Sequence, residues 1–247
     1  MSNYLYRVFQ TLLLFALLLF LGLKAITSQL TWYINARFLT IAEIGILFLA
    51  ILVFRLVLEL RHSHSEHDHE HEQESTVSPV NLWIMLIPLL IGILIPARPL
   101  GASSISAKGF TTSSALISSQ AGSHEFETES EQRDILDWVT LFDVEDDLKP
   151  LMGQQASVVG FVYQDERLPK GQFFVSRIVV SCCAADGFPV VMIVDWPEAA
   201  SLKQDTWVRV SGPVDQTHFD QQPQSIPFIR AKTVEVVAQP AYPYLFP

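Results

Sequence analysis

One stretch of the chain is dense in histidine and carboxylate side chains, which are common metal ligands. Five imidazoles and five carboxylates fall within thirteen residues, and the histidines are His62, His64, His67, His69 and His71. Imidazole binds Zn²⁺, Ni²⁺ or Cu²⁺, and adjacent carboxylates add charge and hydrogen-bond acceptors. We therefore expect a loop over 61–75 that collects or senses zinc-type divalent ions with modest affinity. As the alternative, the loop is a solvated connector whose histidines are incidental.

A second group with metal-ligating chemistry consists of Cys182, Cys183 and Asp186. The two cysteines are the only ones in the chain, and adjacent cysteines cannot close the long disulfide loops of a small secreted scaffold. In a regular strand they would point to opposite faces and could not chelate one ion. A bulge or turn at the strand end would bring Cys183 and Asp186, or Cys182 after a bend, into a metal or redox site. Otherwise one thiol is a core residue and the other a small surface residue.

The sequence predicts a protein that is not an enzyme. No Ser, His and Asp constellation is legible, and only His124 and His218 remain as histidine bases outside the run. Cys182 and Cys183 lack the two-residue spacer of the familiar redox dithiol motif. A thiol oxidoreductase is therefore the least favoured alternative.

Three apolar segments occupy the first hundred residues, at about 4–23, 38–58 and 81–97. The first two are long enough to cross about 30 Å of hydrocarbon, whereas the apolar core of the third is only 14 residues. The first segment is predicted to be an uncleaved anchor, with a signal peptide as the alternative. Residues 1–100 thus predict a multi-pass region in the lipid bilayer of the plasma membrane. Arg7 ahead of the first span favours an N-terminus inside and a C-terminal domain outside the cytoplasm.

Net charge separates the two halves of the chain. From Gly109 onward there are nine basic and nineteen acidic residues, so this half carries the whole net charge of -10. Such a surface repels phosphate backbones, which excludes nucleic acid as a partner of this half and favours cationic ligands.

The C-terminal half predicts a flexible linker over 101–130, rich in Ser, Thr, Gly and Ala, and a soluble β-rich domain over 131–247. A short helix is expected from Asp134 to Phe142, and Pro197–Lys203 also has a helical pattern. Five strand-like runs follow the turn signals, namely Ala156–Tyr163, Gln172–Ser181, Phe188–Trp196, Thr206–Val214 and Ile226–Val237. This order predicts a five-stranded barrel of OB type, with a small β-sandwich as the alternative.

Several of these residues together carry a resemblance to a known family. The phrase Arg167-Leu168-Pro169-Lys170-Gly171-Gln172-Phe173, then Arg177 and the block Cys182-Cys183-Ala184-Ala185-Asp186, resemble the C-terminal domain of the YcgQ-type family of permease subunits. The apolar first half, the histidine-bearing loop and the tail from Pro240 to Pro247 also fit that layout. The resemblance implies a multi-pass plasma-membrane protein that acts with a larger YcgR-type membrane permease, and a metal-related role. It carries over only Cys182, Cys183 and Asp186 as candidate site residues.

Two functions remain in view at this level. The first is an accessory subunit of a membrane permease complex, whose soluble domain binds or gates a ligand. Three spans are few for an independent transport path, which favours a polytopic partner or a homo-oligomer. The second is a membrane-anchored metal sensor or chaperone that uses the histidine run with Cys182 and Cys183.

Overall fold

The structure is a computed structural model that describes residues 3–62, 80–110, 129–219 and 225–246. The chain divides into two compact units, Met1–Arg98 and Pro99–Pro247. The first contains the apolar helices and the second contains the β-rich domain.

In the first unit, the described residues form three α-helices, α1 (Asn3–Ile26), α2 (Leu39–His62) and α3 (Val80–Leu94). Helices α1 and α2 are each long and apolar enough to cross a membrane. Large apolar side chains on α2 are exposed, including Leu47 at 61%, Phe48 at 67% and Phe54 at 64%. A protein in water rarely leaves so large an apolar surface uncovered, so this unit belongs in a lipid bilayer. Helix α3 has 15 residues, or about 22 Å of helix, so the predicted third crossing stays a prediction.

Helix α1 contacts both other helices of the first unit. Leu13 of α1 and Leu89 of α3 are both buried in one small apolar cluster. A Cβ on Gly92 would lie 2.9 Å from the ring of Phe20, so the absence of a side chain at this position lets the two helices approach closely.

The second unit is a closed β-barrel. Its strands are β1 (Gln155–Tyr163), β2 (Gln172–Val179), β3 (Phe188–Asp195), β4 (Trp207–Thr217), β5 (Ile226–Arg230), β6 (Thr233–Val236) and β7 (Tyr244–Leu245). The barrel order is β1-β2-β3-β5-β4, and pairing of β1 with β4 closes the ring. Within that ring, β3 and β5 form the parallel pair. Outside the ring, β6 pairs antiparallel with β4, and β7 pairs parallel with β2. The predicted five-stranded barrel of OB type is confirmed.

The barrel interior is filled by alternate side chains of the strands and closed by helix α5 (Ile135–Val144). Trp138 and Val139 of α5 are fully buried against Phe173 and Met192 from β2 and β3. Asp134 is the N-cap of α5 and forms a capping box. Its carboxylate accepts from the N–H groups of Leu136 and Asp137, and the Asp137 carboxylate accepts from the Asp134 N–H. The helix predicted from Asp134 to Phe142 is thus confirmed.

The outer face of β2 and β3 is buried as well. Helix α4 (Ala102–Lys108) lies across this face, with Ala102 and Ile105 each 2% exposed. They pack with Phe174 and Val191, which lie on the outward side of their strands. The flexible linker predicted over 101–130 is therefore wrong for residues 101–110, which belong to the barrel domain. The composition is rich in small polar residues, but two apolar side chains one helical turn apart are enough to dock the segment. Residues 111–128 of that prediction lie outside the described residues.

Strand and helix boundaries also differ from the prediction in several places. Strand β2 ends at Val179, before the cysteines, and the fifth predicted strand is divided into β5 and β6 at Ala231 and Lys232. The helix predicted over Pro197–Lys203 is a single 3₁₀ turn, Ala199–Ser201. Lys232 donates its N–H to the carbonyl of Ser211 at this break, so the chain bends while both halves keep their pairing with β4.

Arg177 attaches the C-terminal tail to the barrel. Its side chain is 8% exposed, and its guanidinium donates to the carbonyls of Val159 (3.3 Å), Tyr242 (3.1 Å) and Tyr244 (3.4 Å). It also lies 5.2 Å from the centre of the Trp207 ring. Burial lowers the pKa of Arg177 to about 10, with Asp134 opposing the shift. The group is therefore charged at neutral pH, and its role is structural.

We expect Arg177→Met to lower the free energy of unfolding of the second unit by about 2–3 kcal/mol, because it leaves buried carbonyls without their charged donor. Urea titration of the full-length protein, followed by hydrogen exchange of the β2 and β7 peptides, measures this. Arg230→Met is the matched control, since Arg230 forms an exposed ion pair with Asp215 worth less than about 1 kcal/mol. Equal effects of the two substitutions would contradict this role of Arg177.

Candidate metal centre

The two cysteines lie in the connection between β2 and β3 rather than in a strand. After Val179 the chain passes through Cys182 and Cys183 into a 3₁₀ turn, Ala184–Asp186, before β3 begins at Phe188. The alternation that would place the thiols on opposite faces therefore does not apply. The bend at the strand end on which the predicted site depended is present.

The donor atoms of this turn are close enough to share one ion. The sulfur atoms of Cys182 and Cys183 are 3.7 Å apart, and one ligand atom from each of Cys182, Cys183 and Asp186 lies within 4.8 Å of the others. Two thiolates bound tetrahedrally to Zn²⁺ at about 2.3 Å would have their sulfur atoms about 3.8 Å apart. The cysteine pair thus already has the spacing of a zinc chelate.

The Asp186 carboxylate holds the turn together. It accepts from the backbone N–H groups of Ser181 (3.1 Å), Cys182 (2.7 Å) and Cys183 (3.3 Å). Desolvation would raise the pKa of Asp186, but the Cys182 thiol and these N–H groups outweigh it and lower the pKa below 3.8. An ionised carboxylate therefore stands beside both thiols.

The same carboxylate keeps Cys182 protonated. The hydrogen bond from the thiol to Asp186, followed by that with Cys183, raises the pKa of Cys182 to about 11. On the order of 10⁻⁴ of the thiol is then ionised at neutral pH. Redox and nucleophilic cysteines depend on a lowered pKa, so this geometry does not favour a reactive thiol. A metal ion, in contrast, displaces the proton as it binds.

The predicted histidine ligands fall mostly outside the described residues. His62 is the exposed last residue of α2, whereas His64, His67, His69 and His71 lie outside the described part of the chain. His62 belongs to the first unit and the cysteines to the second.

Sequence reasoning missed the contribution of the segment around α4 to this turn. Lys108 donates from its ammonium group to the carbonyls of Ala185 and Gly187, each at 3.0 Å. The spacing of Leu100, Ile105 and Phe110 in an otherwise small and polar stretch was the available signal. All three pack on the outer face of the barrel.

That outer face is where many OB folds bind oligonucleotides. Here this face is covered by two segments. One precedes the barrel strands and contributes Leu100, Ile105 and Phe110, and the other is the C-terminal tail, which contributes Tyr244. The absence of a nucleic-acid ligand stays a prediction, which rests on the excess of carboxylates in this half of the chain.

Comparison with known families matches both halves of the chain. Residues 8–111 match the DUF1980 N-terminal domain, and residues 122–247 match the DUF1980 C-terminal domain. The chain belongs to the DUF1980 family. The YcgQ resemblance is confirmed, since this DUF1980 chain is similar to the UPF0703 protein YcgQ of Bacillus subtilis strain 168. The two are 22% identical over an alignment of 194 residues that covers 66% of this chain and 67% of that protein.

A second relative covers more of the DUF1980 chain. It is a protein of Streptococcus mutans serotype c, strain ATCC 700610 / UA159, named "Putative two-component membrane permease complex subunit". The identity is 23% over an alignment of 260 positions that covers 90% of this chain and 92% of that protein. The similarity thus extends along nearly the whole DUF1980 chain.

Alkylation of Cys182 should be slow near neutral pH and rise roughly tenfold per pH unit towards about pH 11, because only the thiolate reacts. Asp186→Asn should speed the reaction at neutral pH, since it removes the charge that keeps the thiol protonated. Iodoacetamide labelling with mass spectrometry that locates the label measures both rates. Asp195→Asn, at the exposed end of β3, is the control. Fast labelling of the unaltered protein at neutral pH would show that Asp186 does not suppress the thiolate.

Proposed function

We propose that this chain is an accessory subunit of a membrane permease, whose β-barrel domain captures a zinc-type divalent cation at Cys182, Cys183 and Asp186 and delivers it to a polytopic partner. The observation that carries the proposal is the pair of sulfur atoms 3.7 Å apart beside an ionised carboxylate. Both thiols lie in a surface turn, where Cys182 is exposed and Cys183 half-buried, so an ion in solution can reach them.

The ligand set favours a thiophilic cation over a hard one. Thiolates select zinc-type ions, whereas Mg²⁺ and Ca²⁺ require oxygen ligands. The acidic residues of 109–247 attract cations of either kind to this domain. The thiolates of Cys182 and Cys183 then provide the selection.

Three protein ligands suit transfer better than permanent retention. Structural zinc sites use four protein ligands in closed, tetrahedral coordination, whereas sites with three leave a position open. A donor from a partner protein can enter at the open position before Cys182, Cys183 or Asp186 releases the ion. The surface location of the turn gives such a donor access.

The accessory role is supported by the permease-subunit name of the streptococcal relative and by the small number of apolar helices. The part of the chain that the structure describes has two long apolar helices and the shorter α3, and these are too few to enclose an independent path. The exposed apolar face of α2 offers a surface for helices of a partner, and a YcgR-type permease is the partner that the resemblance implies. Delivery from outside requires the barrel domain to be extracytoplasmic, as the position of Arg7 favours.

A second candidate function is a membrane-anchored metal sensor or chaperone. The run of histidines that begins at His62, at the end of α2, favours it, because flexible imidazoles collect ions without a fixed geometry. In this function the ion would not pass to a permease. Partner isolation and metal analysis separate the two candidates.

The cation site is tested by titrating purified full-length protein with Co²⁺, a spectroscopic substitute for Zn²⁺. We expect a thiolate-to-cobalt charge-transfer band, and Cys182→Ser or Cys183→Ser should each weaken binding at least about tenfold. Deletion of residues 62–72 is the control: it should remove only binding by imidazoles and leave the thiolate band unchanged. Absence of the band in the unaltered protein would refute the site.

The accessory role is tested by affinity purification from gently solubilised membranes, with mass spectrometry and metal analysis of the same sample. We expect a stoichiometric polytopic permease, which should be retained by the Cys182→Ser, Cys183→Ser double variant if helices rather than metal hold the complex. Bound zinc without a polytopic partner, lost on deletion of residues 62–72, would favour the sensor. Recovery of only additional copies of this chain would replace the partner with a homo-oligomer.

A further inference from the structure

The ammonium group of Lys108 bridges the two carbonyls on either side of a candidate metal ligand. Lys108 is the last residue of α4, and its Nζ atom is 3.0 Å from the oxygen atoms of both Ala185 and Gly187. Asp186 lies between these two residues. The bridge therefore restrains the peptide unit that precedes Asp186 and the one that follows Gly187, so the backbone is held on both sides of the candidate ligand.

The same turn is also packed by Leu100. A Cβ on Gly187 would lie 3.0 Å from the Leu100 Cδ1 atom and 3.0 Å from the Ile178 Cγ2 atom. Gly187 is therefore enclosed between the outer face of β2 and the segment that precedes α4. Because neighbouring side chains occupy the space around Gly187, the turn cannot shift without moving Leu100.

Residues Leu100–Lys108 are themselves firmly attached to the domain. The backbone N–H of Leu100 donates to the hydroxyl of Tyr244 at 2.9 Å, and that of Ala102 donates to Asp205 at 2.6 Å. Ala102 and Ile105 are buried. The segment thus forms a support on which the metal-binding turn lies.

The position of this support in the chain links the turn to the membrane part of the protein. Helix α3 ends at Leu94, and the barrel unit begins at Pro99. The residues that restrain the turn are therefore the first residues of the domain after the last apolar helix. Only residues 95–98 lie between the end of α3 and the start of the second unit along the chain.

We propose that Lys108 is a positioning residue of the cation site and that the segment Leu100–Lys108 responds to cation binding. The proposal rests on the proposed cation site at Cys182, Cys183 and Asp186. Coupling between two parts of a protein is reciprocal: if the segment stabilises the metal-binding form of the turn, the bound ion stabilises the segment to the same extent. Occupancy of the site thereby reaches the backbone that continues into α3.

The charge on Lys108 distinguishes a positioning role from electrostatic repulsion of the bound cation. A lysine close to a cation site repels the ion, so removal of its charge alone would strengthen binding. Loss of a positioning residue would weaken binding. Substitution of Lys108 therefore changes affinity in opposite directions under the two explanations.

The test uses the full-length protein in detergent with Co²⁺ as the probe, read by the thiolate charge-transfer band. Lys108→Met should weaken binding by about fivefold, as expected for loss of one partly exposed bridge. Lys108→Arg keeps the charge and the donors and should remain close to the unaltered protein. Lys170→Met, in the turn before β2, is the matched control and should have no effect. Lys108 is exposed, so none of these changes disturbs the barrel core.

Hydrogen exchange of α4 supplies the second measurement. The Gly109 N–H donates to the Ile105 carbonyl at 2.7 Å at the end of α4. Co²⁺ should slow exchange in this peptide in the unaltered protein but not in Lys108→Met. The inference is overturned if Lys108→Met binds Co²⁺ as tightly as the unaltered protein or more tightly, and if Co²⁺ does not change the exchange rate of α4. The cation site itself would stand in that case. If the unaltered protein shows no thiolate band, the cation site fails and the inference fails with it.

Discussion

Burial of both faces of β2 and β3 is the constraint on which the rest of the second unit depends. The inner faces contribute Phe173 and Met192 to the barrel core, while the outer faces carry Phe174 and Val191, which water would otherwise contact. An apolar face of this size must be covered, because each exposed square ångström costs about 25 cal/mol. The chain covers it with two of its own segments, the residues from Leu100 to Phe110 and the C-terminal tail.

The position of the candidate metal centre follows from that cover. The turn from Cys182 to Asp186 begins just beyond the end of β2, where the cover ends and the chain reaches the surface. Lys108 and Leu100 meet the turn there from the covering segment. The thiols are thus solvent-accessible on a backbone that buried neighbours hold in place, an arrangement suited to an ion that arrives and leaves.

The hydrogen bonds of Asp186 combine two roles that would conflict in an enzyme. The carboxylate organises the turn through three backbone N–H groups and also raises the pKa of Cys182. A nucleophilic thiol would need the opposite electrostatic surroundings. Metal capture tolerates a protonated resting thiol because the ion itself supplies the charge that displaces the proton.

Much of the architecture was legible in the sequence. Hydropathy located α1 and α2 within a few residues, and the spacing of β-rich runs and turns predicted the OB-type barrel, because both signals are local. The linker prediction failed at Ala102–Lys108, since composition describes average solvation and cannot show that Ala102 and Ile105 face an uncovered sheet. The thiols of Cys182 and Cys183 presented the same difficulty: alternation separates them in a strand, and the residue at which β2 ends decides whether they meet.

Local chemistry alone therefore specifies which residues could bind a cation, which half enters the bilayer and that the other half is an acidic β-domain. Hydrophobicity, charge and turn propensity are properties of residues and short segments, so no folding is needed to read them. The attachment of Lys108 to the turn that carries Cys182, Cys183 and Asp186 depends on contacts between segments up to 79 residues apart in the chain. Such contacts are selected by the burial of the whole outer face, and they exist only once the barrel has closed.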